Sequence, residues 1–169
     1  MLPELIDLLT CGDLEPDDLA EVTEAVENAP EDPDYEWAED AATAMSLALI
    51  SCLGEYTASS DKLDELHEQI QDMFADPLPD FFPATPSDDE QKFGVLPYFQ
   101  WLDGELAQRG TDKGGFDIVQ IDDMSSDEMN MIVVYKKDTA RILVLADALG
   151  FRFTRPLDFW TGMAASGQA

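Results

Sequence analysis

The chain has 169 residues, 45% hydrophobic and 27% charged, which is globular composition at the size of one ordinary domain and excludes intrinsic disorder. Its 37 Asp and Glu against 9 Lys and Arg leave a formal net charge of -28. Such a charge disfavours direct contact with nucleic acid or an anionic membrane.

The charge is also uneven. Residues 1–90 hold 26 Asp and Glu against one base, Lys62, whereas residues 91–169 hold 11 against 8. An acidic front half therefore precedes a nearly neutral back half. The front half suits cationic partners, or else general solubility in salt. The first residues show neither the basic nor the apolar region of a signal peptide, and no run is long enough to span a bilayer. The expectation is a soluble, cytoplasmic protein.

In chain order, Leu2 to Leu9 predicts a short helix with Pro3 in its first turn, Gly12 beyond its end, and Leu2, Leu5, Ile6 and Leu9 on its apolar face. Pro16 to Asn28 predicts a second helix, with Leu19, Val22, Val26 and Ala29 inward. A turn-rich break follows. Tyr35 or Glu36 then leads into a helix with Trp37 and Ala38 on its first turn. Its body, Ala41 to Gly54, is the longest run without an acid or base and is apolar on nearly every side, so it predicts a buried centre. Ser59, Ser60 or Asp61 caps a fourth predicted helix reaching Phe74. Residues 75–90 contain Pro77, Pro79, Pro83 and Pro86, which rules out regular helix and central strand and marks a candidate hinge between two lobes. A fifth helix is predicted from Leu96 to Arg109, burying Tyr98, Phe99, Leu102 and Leu106 and stopping at Gly110.

The pattern then changes to strands. Gly115 to Asp122 and Met129 to Lys136 predict an antiparallel hairpin joined by the acidic loop Asp123 to Glu128. Ile132-Val133-Val134 is apolar on both faces of a strand, so cover on both sides is expected. Asp138 caps a predicted helix from Thr139 to Leu149, and Phe151 to Phe153 adds a short third strand. The expected architecture is α+β, a mostly helical acidic N-terminal part packed on a small C-terminal antiparallel sheet with one helix. It forms one domain over residues 1–160, with residues 161–169 as a frayed tail.

No catalytic constellation, cofactor motif or metal-binding motif stands out, and the expectation is a protein that is not an enzyme and needs no cofactor. The only histidine, His67, borders an apolar stripe, where a structural imidazole is the common outcome. Spacing does not exclude a pairing with Cys52, because such partners meet in space and not in sequence, and nothing in the sequence recommends it. Cys11 and Cys52 both stand in apolar contexts and read as buried thiols. Gly114-Gly115 reads as a turn rather than a phosphate loop. Asp122, Asp123, Asp127 and Glu128 lack the alternation and central glycine of a calcium loop.

Three patterns remain as candidate sites. First, Glu15, Asp17, Asp18, Glu21, Glu24 and Glu27 are spread over roughly 18 Å of helix at 1.5 Å per residue. That is about one charge per 3 Å, close to the roughly 3.4 Å phosphate repeat of a DNA strand. Second, Lys136, Lys137 and Arg141 gather at the start of the last predicted helix, with Arg152 and Arg155 nearby. They either meet carboxylates and tie the lobes together or form an anion site at a helix N-terminus. Third, Phe81 and Phe82 stand among prolines and acids, as core plugs or as aromatic anchors for a partner.

From Phe116 to Phe153 the order strand, acidic loop, apolar strand, Lys136-Lys137-Asp138, then an alanine- and leucine-rich helix closing on Gly150-Phe151 resembles a small, uncharacterised family of acidic bacterial domains. More loosely it resembles bacterial immunity proteins that neutralise toxins. The resemblance spans some forty residues, rests on pattern, and transfers no functional residue. Taken with the charge, it implies a binding protein whose acidic front covers a basic protein partner. The alternatives are a nucleic-acid mimic acting on a DNA-binding protein, and a small enzyme or ligand-binding domain built on the basic cluster.

Overall fold

A computed structural model of the chain describes residues 1–81, 94–123 and 126–166. Among these, seven α-helices surround one four-stranded antiparallel sheet, the α+β class that the sequence predicts. The helices are α1 (Leu2–Leu9), α2 (Pro16–Asn28), α3 (Ala41–Cys52), α4 (Leu63–Asp72), α5 (Val95–Ala107), α6 (Thr139–Leu149) and α7 (Pro156–Ala165). The strands are β1 (Thr57–Ser60), β2 (Phe116–Asp122), β3 (Met129–Tyr135) and β4 (Arg152–Thr154), in the order β1-β3-β2-β4.

The sheet is built outward from the β2–β3 hairpin. Val119 lies opposite Ile132 and Ile118 opposite Val133, so period-2 alternation sends the two pairs to opposite faces. Val119, Ile121, Ile132 and Val134 join α1, α3 and α6 in one core, through Leu5, Ile6, Leu9, Leu49, Ile142 and Leu145. Ile118 and Met131 join α4 and α5 in the other, through Leu66, Ile70, Tyr98, Phe99, Leu102 and Leu106, and Trp160 of α7 packs against it. Cover on both faces is thus what the unbroken apolar run of β3 requires.

Helices sort by the face of the sheet they cover and not by their half of the sequence. The front-half helix α4 joins α5 and α7, and the back-half helix α6 joins α1 and α3. Residues 75–81 of the expected hinge are packed onto the second core. Leu78 is buried there, and Arg109 donates to the Asp76 and Pro77 carbonyls at 2.7 and 3.1 Å. The rest of the expected hinge, residues 82–90, lies outside the described residues.

Four local expectations are corrected. Ser59 and Ser60 do not cap a helix: Thr57–Ser60 is an edge strand that pairs with Ile132 to Met129, because β3 offers it a free edge. Trp37 and Ala38 precede α3 and are not its first turn, since Asp40 caps it by accepting from the Thr43 N–H at 2.8 Å. Asp138 occupies the N-cap position of α6 without a side-chain capping bond. The expected tail instead begins with helix: Pro156 at the first position and Asp158 in the first turn start α7, which runs through Ala165.

Candidate functional site

Helix α2 is the outermost helix on its side of the sheet. It packs on α1 and α3 and makes no extended contact with the strands. Val26 is its only fully buried residue, with Leu19 and Val22 half-buried beside it. At 3.6 residues per turn, Asp17, Glu21 and Glu24 fall on one stripe opposite Val26, with Asp18 and Glu27 to either side. Glu15, at the N-cap, and all five of these acids are exposed. The described residues place no cation against any of the six.

Beside that stripe runs an open groove of about 350 Å³, lined by Pro3, Pro16, Leu19, Ala20, Thr23, Glu24 and Glu27. Its floor is apolar for identifiable reasons. Two of its walls are prolines, which carry no N–H, and the Thr23 hydroxyl is satisfied inside the helix by donating to the Leu19 carbonyl at 2.7 Å. The groove was not visible in the sequence, because it needs the first turns of two helices side by side.

The basic cluster takes a different form from the one expected. Lys136, Lys137 and Arg141 do not converge on the start of α6. Arg141 grips Glu4 of α1 in a two-pronged pair at 2.8 and 2.9 Å, and that guanidinium holds the Glu4 carboxyl below the usual range. Lys136 lies 3.7 Å from Asp103, and Lys137 sits over the Tyr135 ring, 5.3 Å from its centre.

Arg155 is the true hub of the cations. Its Nε donates to Asp117 at 2.8 Å, its Nη2 to Asp103 at 2.8 Å and its Nη1 to Asp158 at 3.2 Å. Asp117 is 4% exposed and also accepts from the Thr139 hydroxyl at 2.9 Å, so one guanidinium ties β2, α5, α6 and α7 together. Burial pulls the Arg155 pKa down, but the carboxylates of Asp117 and Asp158 outweigh it and raise the pKa overall.

A smaller cleft of about 110 Å³ lies between the start of α3 and the end of the sheet, lined by Glu39, Asp40, Thr43, Ser46, Asp122 and Arg152 among others. Asp40 is held below its ordinary pKa chiefly by the Thr43 N–H, with Arg152 adding to the effect. In the acidic loop, Asp123 is buried and accepts from the Ser126 N–H and hydroxyl, both at 3.0 Å, and from Asn130 at 3.3 Å. That carboxylate organises the hairpin end. Residues 124 and 125 of the loop lie outside the described residues.

His67 is buried between Tyr98 and Trp101, and its Nδ1 lies 3.2 Å from the Tyr98 hydroxyl. Burial pushes its pKa down, which keeps the ring neutral. Cys52 ends α3, on the other side of the sheet from His67, so the two form no dyad. Cys52 is exposed, contrary to expectation, because it falls at the solvent end of its helix; Cys11 is half-buried. Partial burial raises the pKa of the Cys11 thiol. Phe81 packs on Tyr98 and Trp101, with ring centres 5.3 and 5.0 Å away, as a plug of the second core; Phe82 lies outside the described residues. Trp37, expected on the first turn of a helix, instead stands 60% exposed ahead of α3, and its Nε1 donates to the Asp34 carbonyl at 3.0 Å.

Comparison of the chain with protein-family models, with curated proteins and with solved structures finds no match.

Proposed function

We propose that the protein is a non-catalytic binding protein whose acidic front covers a basic protein partner, in the manner of an immunity or inhibitor protein. One observation carries this reading: Glu15 and the five carboxylates of α2 are exposed on the outermost helix with no cation among the described residues set against them, in a half-chain with a single base. Holding like charges together costs stability, and a cationic surface recovers that cost on binding. Occlusion would be steric and electrostatic, with association that is fast at low salt and slower as ions screen the face.

A nucleic-acid mimic is the second reading, favoured by the exposure of all six acids from Glu15 to Glu27, at about one charge per 3 Å of helix axis against roughly 3.4 Å per phosphate of a DNA strand. Competing DNA should then displace the protein from its partner. The ligand-binding reading built on Lys136, Lys137 and Arg141 has no comparable support, because those side chains diverge toward Asp103, the Tyr135 ring and Glu4.

The test is retention of basic proteins from cell lysate at about 50 mM and 500 mM salt, which shortens the screening length from roughly 14 Å to 4 Å. The native chain is compared with a variant carrying amides at Glu15, Asp17, Asp18, Glu21, Glu24 and Glu27. A basic protein held by the native chain at low salt and lost in the variant supports the proposal. Equal retention by both, or no basic protein at either salt, overturns it.

A further inference from the structure

The apolar groove beside the acidic stripe has no role in a purely electrostatic interface. Pro3, Pro16, Leu19, Ala20 and Thr23 leave an open apolar floor, and Glu24 and Glu27 stand on its bank. Asp17 and Glu21 stand outside the lining, farther round the same helix. Apolar floor and acidic bank lie along one helix, and this dictates the chemistry of an occupant. It must offer apolar side chains and cations side by side, at a spacing set by a helical repeat.

We infer that this groove receives a basic amphipathic helix of the partner, with apolar residues three and four apart seated between Pro3 and α2 and Lys or Arg residues meeting Glu24 and Glu27. The inference rests on the proposed function and specifies how the acidic face recognises its target. Charge complementarity selects this occupant. A second copy of the chain would bring its own net charge of -28 against the same bank. A nucleic acid or an anionic membrane would be repelled, and both lack the paired pattern of apolar and cationic groups. Docking a helix on a helix also suits the length available, since α2 offers 13 residues, or roughly 20 Å, of continuous helix.

Two synthetic peptides of equal length and charge separate the contributions, titrated calorimetrically against the full chain. One is amphipathic, with leucines three and four apart among lysines; the other is the same peptide scrambled so that no apolar face forms. The amphipathic peptide should bind about tenfold more tightly, the scale of discrimination one apolar pocket gives. That advantage should persist at 500 mM salt, because contact with the floor is not screened. Ala20→Trp, which fills the groove from an exposed helix position, should abolish the advantage and leave the scrambled peptide unaffected. Ala20→Glu, which charges the floor and keeps helix propensity, serves the same purpose should the tryptophan perturb folding.

Equal binding of the two peptides, or an advantage that survives both substitutions, overturns the groove and leaves the acidic face standing. No binding of either peptide at low salt overturns both. Dimerisation of the free chain that Ala20→Trp prevents would assign the groove to a second copy instead.

Discussion

The Arg155 hub and the outer face of α2 hold the same side chains in opposite circumstances. In the hub, Asp103, Asp117 and Asp158 surround one guanidinium, and Asp117 is almost fully buried. At α2, Glu15 of the N-cap and five carboxylates of the helix stand in water with no cation set against them among the described residues. Arg155 is thus placed where the buried Asp117 carboxylate would otherwise be uncompensated, and the described residues set no base beside the acids of α2. An acid that serves the fold is paired, whereas an acid on α2 is held open.

Breaking the hub should have the largest effect. Arg155→Met leaves the Asp117 carboxylate buried without its charge partner and should lower unfolding free energy by about 3 kcal/mol in denaturant titration. Adding Asp117→Asn to that variant should recover part of the loss, because the uncompensated charge is then gone. A double variant no more stable than Arg155→Met alone would show that packing, and not charge, is what Arg155 supplies.

His67 tests a third way of treating an ionisable group, keeping it dry and neutral. Its folded pKa lies below its unfolded value, so the unfolded chain binds the extra proton. The associated stability is fully present above the unfolded value of about 6.5 and is lost as pH falls toward the folded pKa. The stability gap between the native chain and His67→Gln should therefore narrow below about pH 6.5, by at most ~1.4 kcal/mol per pH unit. A gap independent of pH would mean that the ring titrates alike in both states.

Neutralising the α2 face should move stability the other way. Glu21→Gln with Glu24→Gln removes like-charge neighbours at helical spacing and should raise stability by about 0.5 kcal/mol at low salt, with the gain vanishing as salt rises. A loss of stability would show that these acids support the fold after all. The smallest effect belongs to Glu4→Gln, which breaks the exposed pair with Arg141. It should shift the thermal midpoint barely, and only when pH is high enough to ionise Glu4 in the native chain.

Much of this arrangement is legible in the sequence where local chemistry decides. Helices α1, α2 and α6 begin and end where Pro3, Pro16, Gly12 and Gly150 place them, and the exposure of the α2 acids follows from one helical wheel. Elements decided by distant partners are not legible. Thr57-Ala-Ser-Ser has the composition of a helix cap and becomes a strand only because β3 has an open edge. Helix α7 was masked by Gly162 and its alanines, although Arg155-Pro156 and the spacing of Leu157 and Trp160 carried its signal. For the site, the acidic stripe could be read residue by residue. The groove and the hub could not, since Pro3 meets α2, and Asp103, Asp117 and Asp158 meet Arg155, only through the fold.

The edge strand β1 sets the order in which the molecule can be completed. Its partner is β3, and Thr57 must wait for Ile132. During synthesis at about 5 to 20 residues per second, that is a delay of roughly 4 to 15 s with α1, α2 and α3 already outside the ribosome. Their apolar faces have no sheet to lie on in that interval. The charge carried by residues 1–90 then acts on the unfinished chain, since mutual repulsion keeps neighbouring nascent copies apart until the hairpin arrives. The acidity that charges the outer face of the finished α2 thus also acts on the half-made protein, holding its copies apart.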